Sequence, residues 1–334
     1  MKDLFDTAGI RTTYGSALFA DHVPAATAPA VSQLEAGGWV NVGKANLHEF
    51  AYGVTSQNLH YGTVPNPVTP ELTAGGSSGG SAAALAAGLA DGALGTDTGG
   101  SIRIPAACCR VVGFKPTFGL VSAEGIFPLA PSFDHVGPMA RSVDGCIELL
   151  AALTPEVRVP EIALADLSFA SAWGVAAGLT TTKVQMPTAE EVVPAFMREV
   201  GDVHRDLYPE NAELYGENVR GKIERCLAVD DGEYEAAVRA RATYAERVLE
   251  LLEGCDLLLT PTLSCPVPAA DAVEVEVRAA MTRFTFPFNA LGWPALALPW
   301  PGGSLQVVGR PGDDGLVLAV GRELERMQAS GDAT

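Results

Sequence analysis

Apolar positions in "APAVSQLEAGGWVNVG" first recur at helical spacing and then cluster, which predicts a helix ending at Gly37 and Gly38 and a short strand over 39–42. The alternation continues downstream. An alanine-rich run predicts a helix over 81–90 capped by Ser81 or a neighbour, then a short buried strand over 93–96. "SVDGCIELLAAL" is amphipathic, with Ser142 as its N-cap. The pattern weakens over 155–179, and 188–254 read as mostly helical and charged. The clearest helix, "DGEYEAAVRARATYAERVLELLEG", ends at Gly254. "CDLLLTPT", "PALALPW" and "SLQVVGRP" predict three further strands, and "DDGLVLAVGRELERMQA" a closing helix begun by Asp313 or Asp314. Strands alternating with helices imply an α/β fold, and no repeat or linker divides residues 1–334 into independent domains.

Composition narrows the partners. Hydrophobic residues make up 48% of the chain and charged ones 19%, enough for a substantial core. The formal charge of −18 argues against a nucleic-acid backbone or an anionic membrane as direct partner. Cys108, Cys109, Cys146, Cys226, Cys255 and Cys265 form no C-x-x-C, as expected of core packing in a reducing, cytoplasmic compartment. His22, His48, His60, His135 and His204 show no metal-ligand spacing, so no metal or cofactor is expected. The start, "MKDLFDTAGI", has no apolar signal region, and no run approaches the ~18 apolar residues of a membrane span.

Two Gly/Ser knots, "TAGGSSGGSAAALAAG" and "GTDTGGSIRIPA", lie about one helix apart. No lysine follows the glycines as a phosphate loop requires. The pattern G-x-S-x-G occurs twice, centred on Ser77 and on Ser78, but a nucleophile elbow needs a preceding strand. Pro65, Pro67 and Pro70 make a poor one. The histidine nearest the C-terminus, His204, lies in a charged helical stretch expected to be exposed. The remaining reading makes both knots one site. Glycine-dense loops aim consecutive N–H groups at one spot, and "DTGGS" at a helix start suits an oxyanion hole beside a serine. Without a suitable histidine, lysine is the remaining common base, and the pattern alone does not say which lysine.

Together, "GGSSGGSAAALAAG", "GTDTGGSIRIPAACC" and "GFKPTFGLVS" resemble the amidase signature family. The likeness extends through "KDLFDTAGIRTTYGS", "FDHVGPMARSVDG", "DLLLTPT", "PFNALGWPALALP" and "VVGRPGD", with 155–230 the weakly matched, variable part. The resemblance implies one amidase domain over 1–334, built on a large mixed β-sheet flanked on both faces by helices. It also implies a Ser–cisSer–Lys triad. Ser101 would be the nucleophile, Ser77 the bridging residue after a cis Gly76–Ser77 peptide, and Lys2 the base. Lys44 and Lys115 sit in motifs that are structural in the family. Backbone N–H groups of Thr98, Gly99, Gly100 and Ser101 would form the oxyanion hole. Gly76, Ser78, Asp97 and Arg103 would support it, against a plainer reading of these polar residues as caps and surface pairs.

The activity implied is hydrolysis of small, linear carboxamides to carboxylate plus ammonia or amine, through a serine acyl-enzyme. The partners expected are the amide substrate and at most a second copy in a homodimer. Two alternatives stay open: the glutaminase (A) subunit of a tRNA-dependent amidotransferase, and an impaired member acting only as a binding protein. Family members carry several tens of residues before the catalytic lysine, whereas Lys2 is the second residue here. A start upstream of Met1 is therefore expected. So are a frayed Lys2 and weak activity of the 334-residue chain, outweighing help from the positive terminal amine in lowering the Lys2 pKa.

Overall fold

The computed structural model describes residues 1–174 and 178–330, so 175–177 of the weakly patterned stretch and 331–334 lie outside the described residues. Eight strands form one sheet: β1 (Gly92–Asp97), β2 (Val112–Lys115), β3 (His135–Ala140), β4 (Phe169–Ser171), β5 (Thr181–Lys183), β6 (Leu257–Pro261), β7 (Ala295–Trp300) and β8 (Gly303–Val308). Their order is β1-β3-β2-β7-β8-β6-β4-β5. β4 runs parallel to β5 and β6, and the remaining pairs are antiparallel. The sheet is mixed, as expected.

Alternation along the strands divides the core between the two faces. Leu257 and Leu259 of β6 enter one cluster, with Leu296 and Leu298 of β7 and helices α4 (Val143–Leu153) and α10 (Asp314–Ser330). Leu258 enters the other, with Ala295 and three helices: α5 (Val193–His204), α6 (Glu217–Leu227) and α7 (Asp231–Leu251). The charged stretch 188–254 therefore supplies one cover of the sheet.

Local signals fix several element ends. Ser142 caps α4 by accepting from the Gly145 N–H at 3.2 Å, and Asp230 with Glu233 forms a capping box on α7. Three expectations need correction. Residues 39–42 form no strand; Val40 and Val42 are exposed, so the apolar run joins no sheet. The alanine-rich helix, α2, spans Gly79–Ala86, starting inside the glycines and ending before 90. His204 is buried, not exposed, because α5 turns it into an aromatic cluster with Phe50, Phe127 and Tyr215.

Candidate active site

The first knot is rigid. A Cβ at Gly80 would strike the Asn46 carbonyl, and one at Gly76 would lie 2.8 Å from the Ser56 nitrogen, so the glycines permit close packing. The Gly76–Ser77 peptide is cis. Ser78 stitches this knot to the second: its N–H donates to the Ser101 carbonyl at 3.1 Å, and its hydroxyl donates to the Thr96 carbonyl at 3.1 Å. Ser77, Ser78 and Ser101 are all buried, Ser101 least so at 7% exposure.

Lys2 reaches Ser77 from the open edge of β1. Its N–H donates to the Leu94 carbonyl at 3.1 Å, and the flanking residues pair with Ala45, whose N–H donates to Met1 and whose carbonyl accepts from Asp3. The side chain is fully buried, and Nζ donates to Ser77 Oγ and Thr96 Oγ1, each at 2.7 Å. The expected fraying is therefore corrected: backbone bonds on both sides hold this segment. Burial pulls the Lys2 ammonium down to about 7, against the opposing pull of Asp97 and Asp134. The terminal amine is itself pushed down to about 6 by its own burial and by Lys44. Thr96, the second partner of Lys2, went unmarked in the sequence although it lies inside "GTDTGG".

The rival lysines are engaged elsewhere. Lys44 Nζ donates to the Phe5 carbonyl and to Thr12 Oγ1, and lies 3.5 Å from Asp3. Lys115 is buried and donates to the Pro116 carbonyl at 3.0 Å. No histidine ring meets Ser77, Ser78 or Ser101 among the described residues. His48 meets Asn218, His135 Phe133, and His204 Tyr215. Residues 64–74 hold isolated bridges and no strand, so the elbow arrangement is absent.

Asp97 and Arg103 are fully buried, which removes the reading of surface pairs. Asp97 accepts from the N–H groups of Gly100, Ile102 and Arg103 at 2.8, 3.1 and 3.3 Å, capping helix α3 (Arg103–Cys109). Arg103 Nε and Nη2 donate to the two Asp97 oxygens at 3.0 and 2.8 Å. Gln306 Oε1, Asn289 Oδ1 and the Thr285 carbonyl take its remaining donors. Burial alone would raise the Asp97 carboxyl, but Arg103 and then Lys115 and Asn289 hold it well below the usual range. This network fixes the loop from behind. It also corrects the expected oxyanion hole, because the Gly100 N–H is spent on Asp97. The N–H groups of Thr98, Gly99 and Ser101 meet no acceptor among the described residues and remain the available donors. Thr98 Oγ1 bonds to Asp134 at 2.6 Å, and Thr285 Oγ1 to the Gly99 carbonyl at 2.7 Å, so the loop is tethered from two sides.

Ser101 and Gly99 open into a cavity of about 210 Å³ shared with Tyr52, Phe196 and Phe286. No hydrogen bond joins the Ser77 and Ser101 hydroxyls; catalytic contacts are commonly loose without substrate. A larger cavity, about 330 Å³, lies beside Met1, Trp39 and Leu149 and shares no lining residue with this one. Arg225 and Arg278 also line the Ser101 cavity and went unmarked in the sequence, because they lie on helices far along the chain.

A buried lysine set against one serine, with a second serine at a cavity beside free N–H donors, is the arrangement of the Ser–Lys hydrolase class. Comparison with known proteins narrows the class. The chain belongs to the amidase signature family: the Amidase family model matches residues 1–159 and 156–318. AtzE, a 1-carboxybiuret hydrolase component of Pseudomonas sp. (strain ADP), is 33% identical over 381 residues, covering 97% of this chain and 82% of the relative. The glutamyl-tRNA(Gln) amidotransferase (A) subunit of Haloarcula marismortui is 32% identical over 369 residues, covering 90% of this chain and 86% of the relative. A solved amidase structure superposes with a TM-score of 0.89 at 36% identity, over 97% of this chain and 83% of that one.

Proposed function

We propose that the chain is an amidase that hydrolyses linear carboxamides through an acyl-enzyme on Ser101. The observation that carries this reading is the 2.7 Å contact of Lys2 Nζ on Ser77 Oγ, made by a lysine that burial brings to about 7. Near neutral pH a large fraction of such a lysine is unprotonated and able to act as a base. In this reading Lys2 takes the Ser77 proton as Ser77 takes that of Ser101, and the freed Ser101 oxygen attacks the amide carbonyl. The oxyanion forms against the N–H groups of Thr98, Gly99 and Ser101. Ser77 returns a proton to the departing amine, and water clears the acyl group along the same relay. The six free cysteines suit a reducing, cytoplasmic setting.

The reading as a glutaminase component draws on relatives bearing that name. Against it, that component typically shows a "Y-D-A-Y-Y-x-K-A" run where this chain has "DGEYEAAVRARATY". One experiment tests the proposal. A fluorophosphonate probe labels Ser101, and Ser101→Ala loses both the label and amide turnover, by at least on the order of 10⁴-fold. An adduct mapped to Ser77 or Ser78 would refute the assignment. Turnover of glutamine alone, and only with a tRNA-binding partner protein, would favour the second reading.

A further inference from the structure

One buried carboxylate stands where the oxyanion loop meets the cavity wall, and the relay of Lys2, Ser77 and Ser101 does not use it. Asp134 closes the turn that leads from Leu129 into β3. Its Oδ1 accepts from the Thr98 hydroxyl at 2.6 Å and from the Ala130 N–H at 3.3 Å, and its Oδ2 from the Leu129 N–H at 2.9 Å. Thr98 carries one of the free N–H donors of the loop, and Leu129 lines the cavity in front of Ser101. Asp97 and His135 are the last partners of the β1–β3 ladder, so the contact of Thr98 with Asp134 extends that pairing by one residue.

The turn is gripped from its far side as well. Glu199 of α5 accepts from the Ser132 N–H and hydroxyl at 2.8 and 2.5 Å. Arg241 of α7 donates to Ser132 Oγ and to the Ser132 carbonyl at 2.7 and 2.9 Å. Its guanidinium lies 4.1 Å from the centre of the Phe133 ring, which stacks on Phe286 of the cavity wall. A turn held this way needs no charge at Asp134 to keep its shape. The amide of an asparagine could accept the Leu129 N–H and donate to Thr98 Oγ1. The position nevertheless holds a carboxylate whose three partners are neutral donors, a costly group to bury without a cation.

That charge bears on the base. Burial pushes the Asp134 carboxyl up to about 6 against its three donors, with Glu199 adding to the push, so it is mostly ionised at neutral pH. Asp97 and then Asp134 favour the Lys2 ammonium against its own burial. Asp97 is paired with Arg103, whereas Asp134 has only neutral partners. His48, the further titratable group acting near Lys2, is neutral, since burial brings it down to about 3.

We propose that Asp134 is a positioning residue of the reaction: one carboxylate ties the oxyanion loop at Thr98 to the cavity wall at Leu129, so that the donors for the oxyanion and the surface beside the substrate keep one spacing. Its charge also steadies the ammonium that Lys2 becomes on taking the Ser77 proton. The inference rests on the amidase reading, and Asp134 itself touches no reacting atom.

The test begins at Thr98, where valine removes the hydroxyl and serine keeps it. Thr98→Val should lower kcat about 10- to 100-fold with KM within about threefold, and Thr98→Ser should recover most of the loss. Asp134→Asn should lower kcat by a similar factor, and the Thr98→Val/Asp134→Asn double variant no further than the poorer single one. In Asp134→Asn the acid limb of kcat/KM should also move to lower pH than in the parent, because the Lys2 ammonium has lost a supporting charge. A role in packing alone would leave that limb in place. Circular dichroism and thermal melts check each fold; should Asp134→Asn not fold, the two Thr98 variants decide. Unchanged kcat in Thr98→Val, equal losses in Thr98→Val and Thr98→Ser, losses that multiply in the double variant, or an acid limb that stays or moves up in Asp134→Asn overturns the proposal and leaves the amidase reading standing. The rate of Ser101 labelling by the fluorophosphonate separates the two. A parent that labels there yet hydrolyses no carboxamide loses the amidase reading, while the ratio of variant to parent labelling rates still judges Asp134.

Discussion

Asp97 and Arg103 face each other as a fully buried bidentate pair, 2.8 Å apart at their closest, directly behind the loop that carries Ser101. The pair satisfies polar groups of three segments at once: the start of α3, the short helix Phe286–Ala290 with its N-cap Thr285, and β8. Removing one partner strands a charge in the interior, whereas removing both strands none. Asp97→Asn and Arg103→Met should each cost about 3–5 kcal/mol, and the double variant much less than their sum. Urea unfolding of the four proteins gives that coupling. Additive losses would show the two residues acting independently.

Gly100 is the one loop glycine whose N–H is committed to Asp97, and its φ is +130°, a region that favours glycine. A Cβ there would strike Thr285 Oγ1 and lie 2.7 Å from Ile104 Cδ1. Gly100→Ala should cost about 2–4 kcal/mol and displace the neighbouring donors, lowering kcat more than it raises KM. Steady-state kinetics with a thermal melt measures both. Full kcat with unchanged stability would mean that the loop tolerates a different path.

Glu274 anchors the other wall of the cavity. It accepts from Arg278, from Lys222 at 3.3 Å and from the Val54 N–H at 3.3 Å. Burial would raise its carboxyl, but Lys222 and Arg278 outweigh that and hold it at about 2. Glu274→Gln leaves two cations facing a neutral amide, so the 52–54 segment should loosen and KM rise about tenfold or more, with kcat less affected. The folded carboxyl lies below its unfolded value, so its stabilisation is present above about pH 4.5 and is lost as pH falls toward about 2. Acid unfolding of the Gln variant should lack that component. A superimposable acid transition would count against the role.

What could be read in advance follows from where each signal lies. Strands such as 257–261 and 295–300 are short apolar runs bounded by turn residues, and Ser142 stands at a helix start, so local pattern found them. The run at 39–42 shows the limit: its apolar residues have no neighbouring strand, and pattern alone does not reveal pairing. The knots holding Ser77, Ser78 and Ser101 stand out because they are dense in glycine and serine, but the choice of Ser77 over Ser78 comes only through the family resemblance. Lys2 came only through the family resemblance, since 75 residues separate it from Ser77. The spending of the Gly100 N–H on Asp97, and the two arginines from α6 and the 274–282 helix, arise from tertiary contacts that no local window contains.

Lys2 ties activity and stability to one ionisation. Folded, it lies at about 7; in the unfolded chain it returns to its ordinary 10.5. As a base it must be neutral, so kcat/KM should rise about tenfold per pH unit below about 7 and level off above it. The stability effect has a definite sign. Between those two values the unfolded chain holds a proton that the folded chain has released, so stability rises with pH by roughly 1.4 kcal/mol per unit. Lys2→Met has no such ionisation. It should lose turnover at every pH, and its stability relative to the parent should be greatest at or below about pH 7. Losing the bonds to Ser77 and Thr96 shifts that difference by an amount independent of pH, so the slope isolates the lysine. Urea unfolding of both proteins at pH 7.5 and 9.0 should show their difference move by about 2 kcal/mol in favour of the parent. Parallel stability profiles, or a kcat/KM limb well above pH 8, would show that Lys2 stays protonated and does not serve as the base.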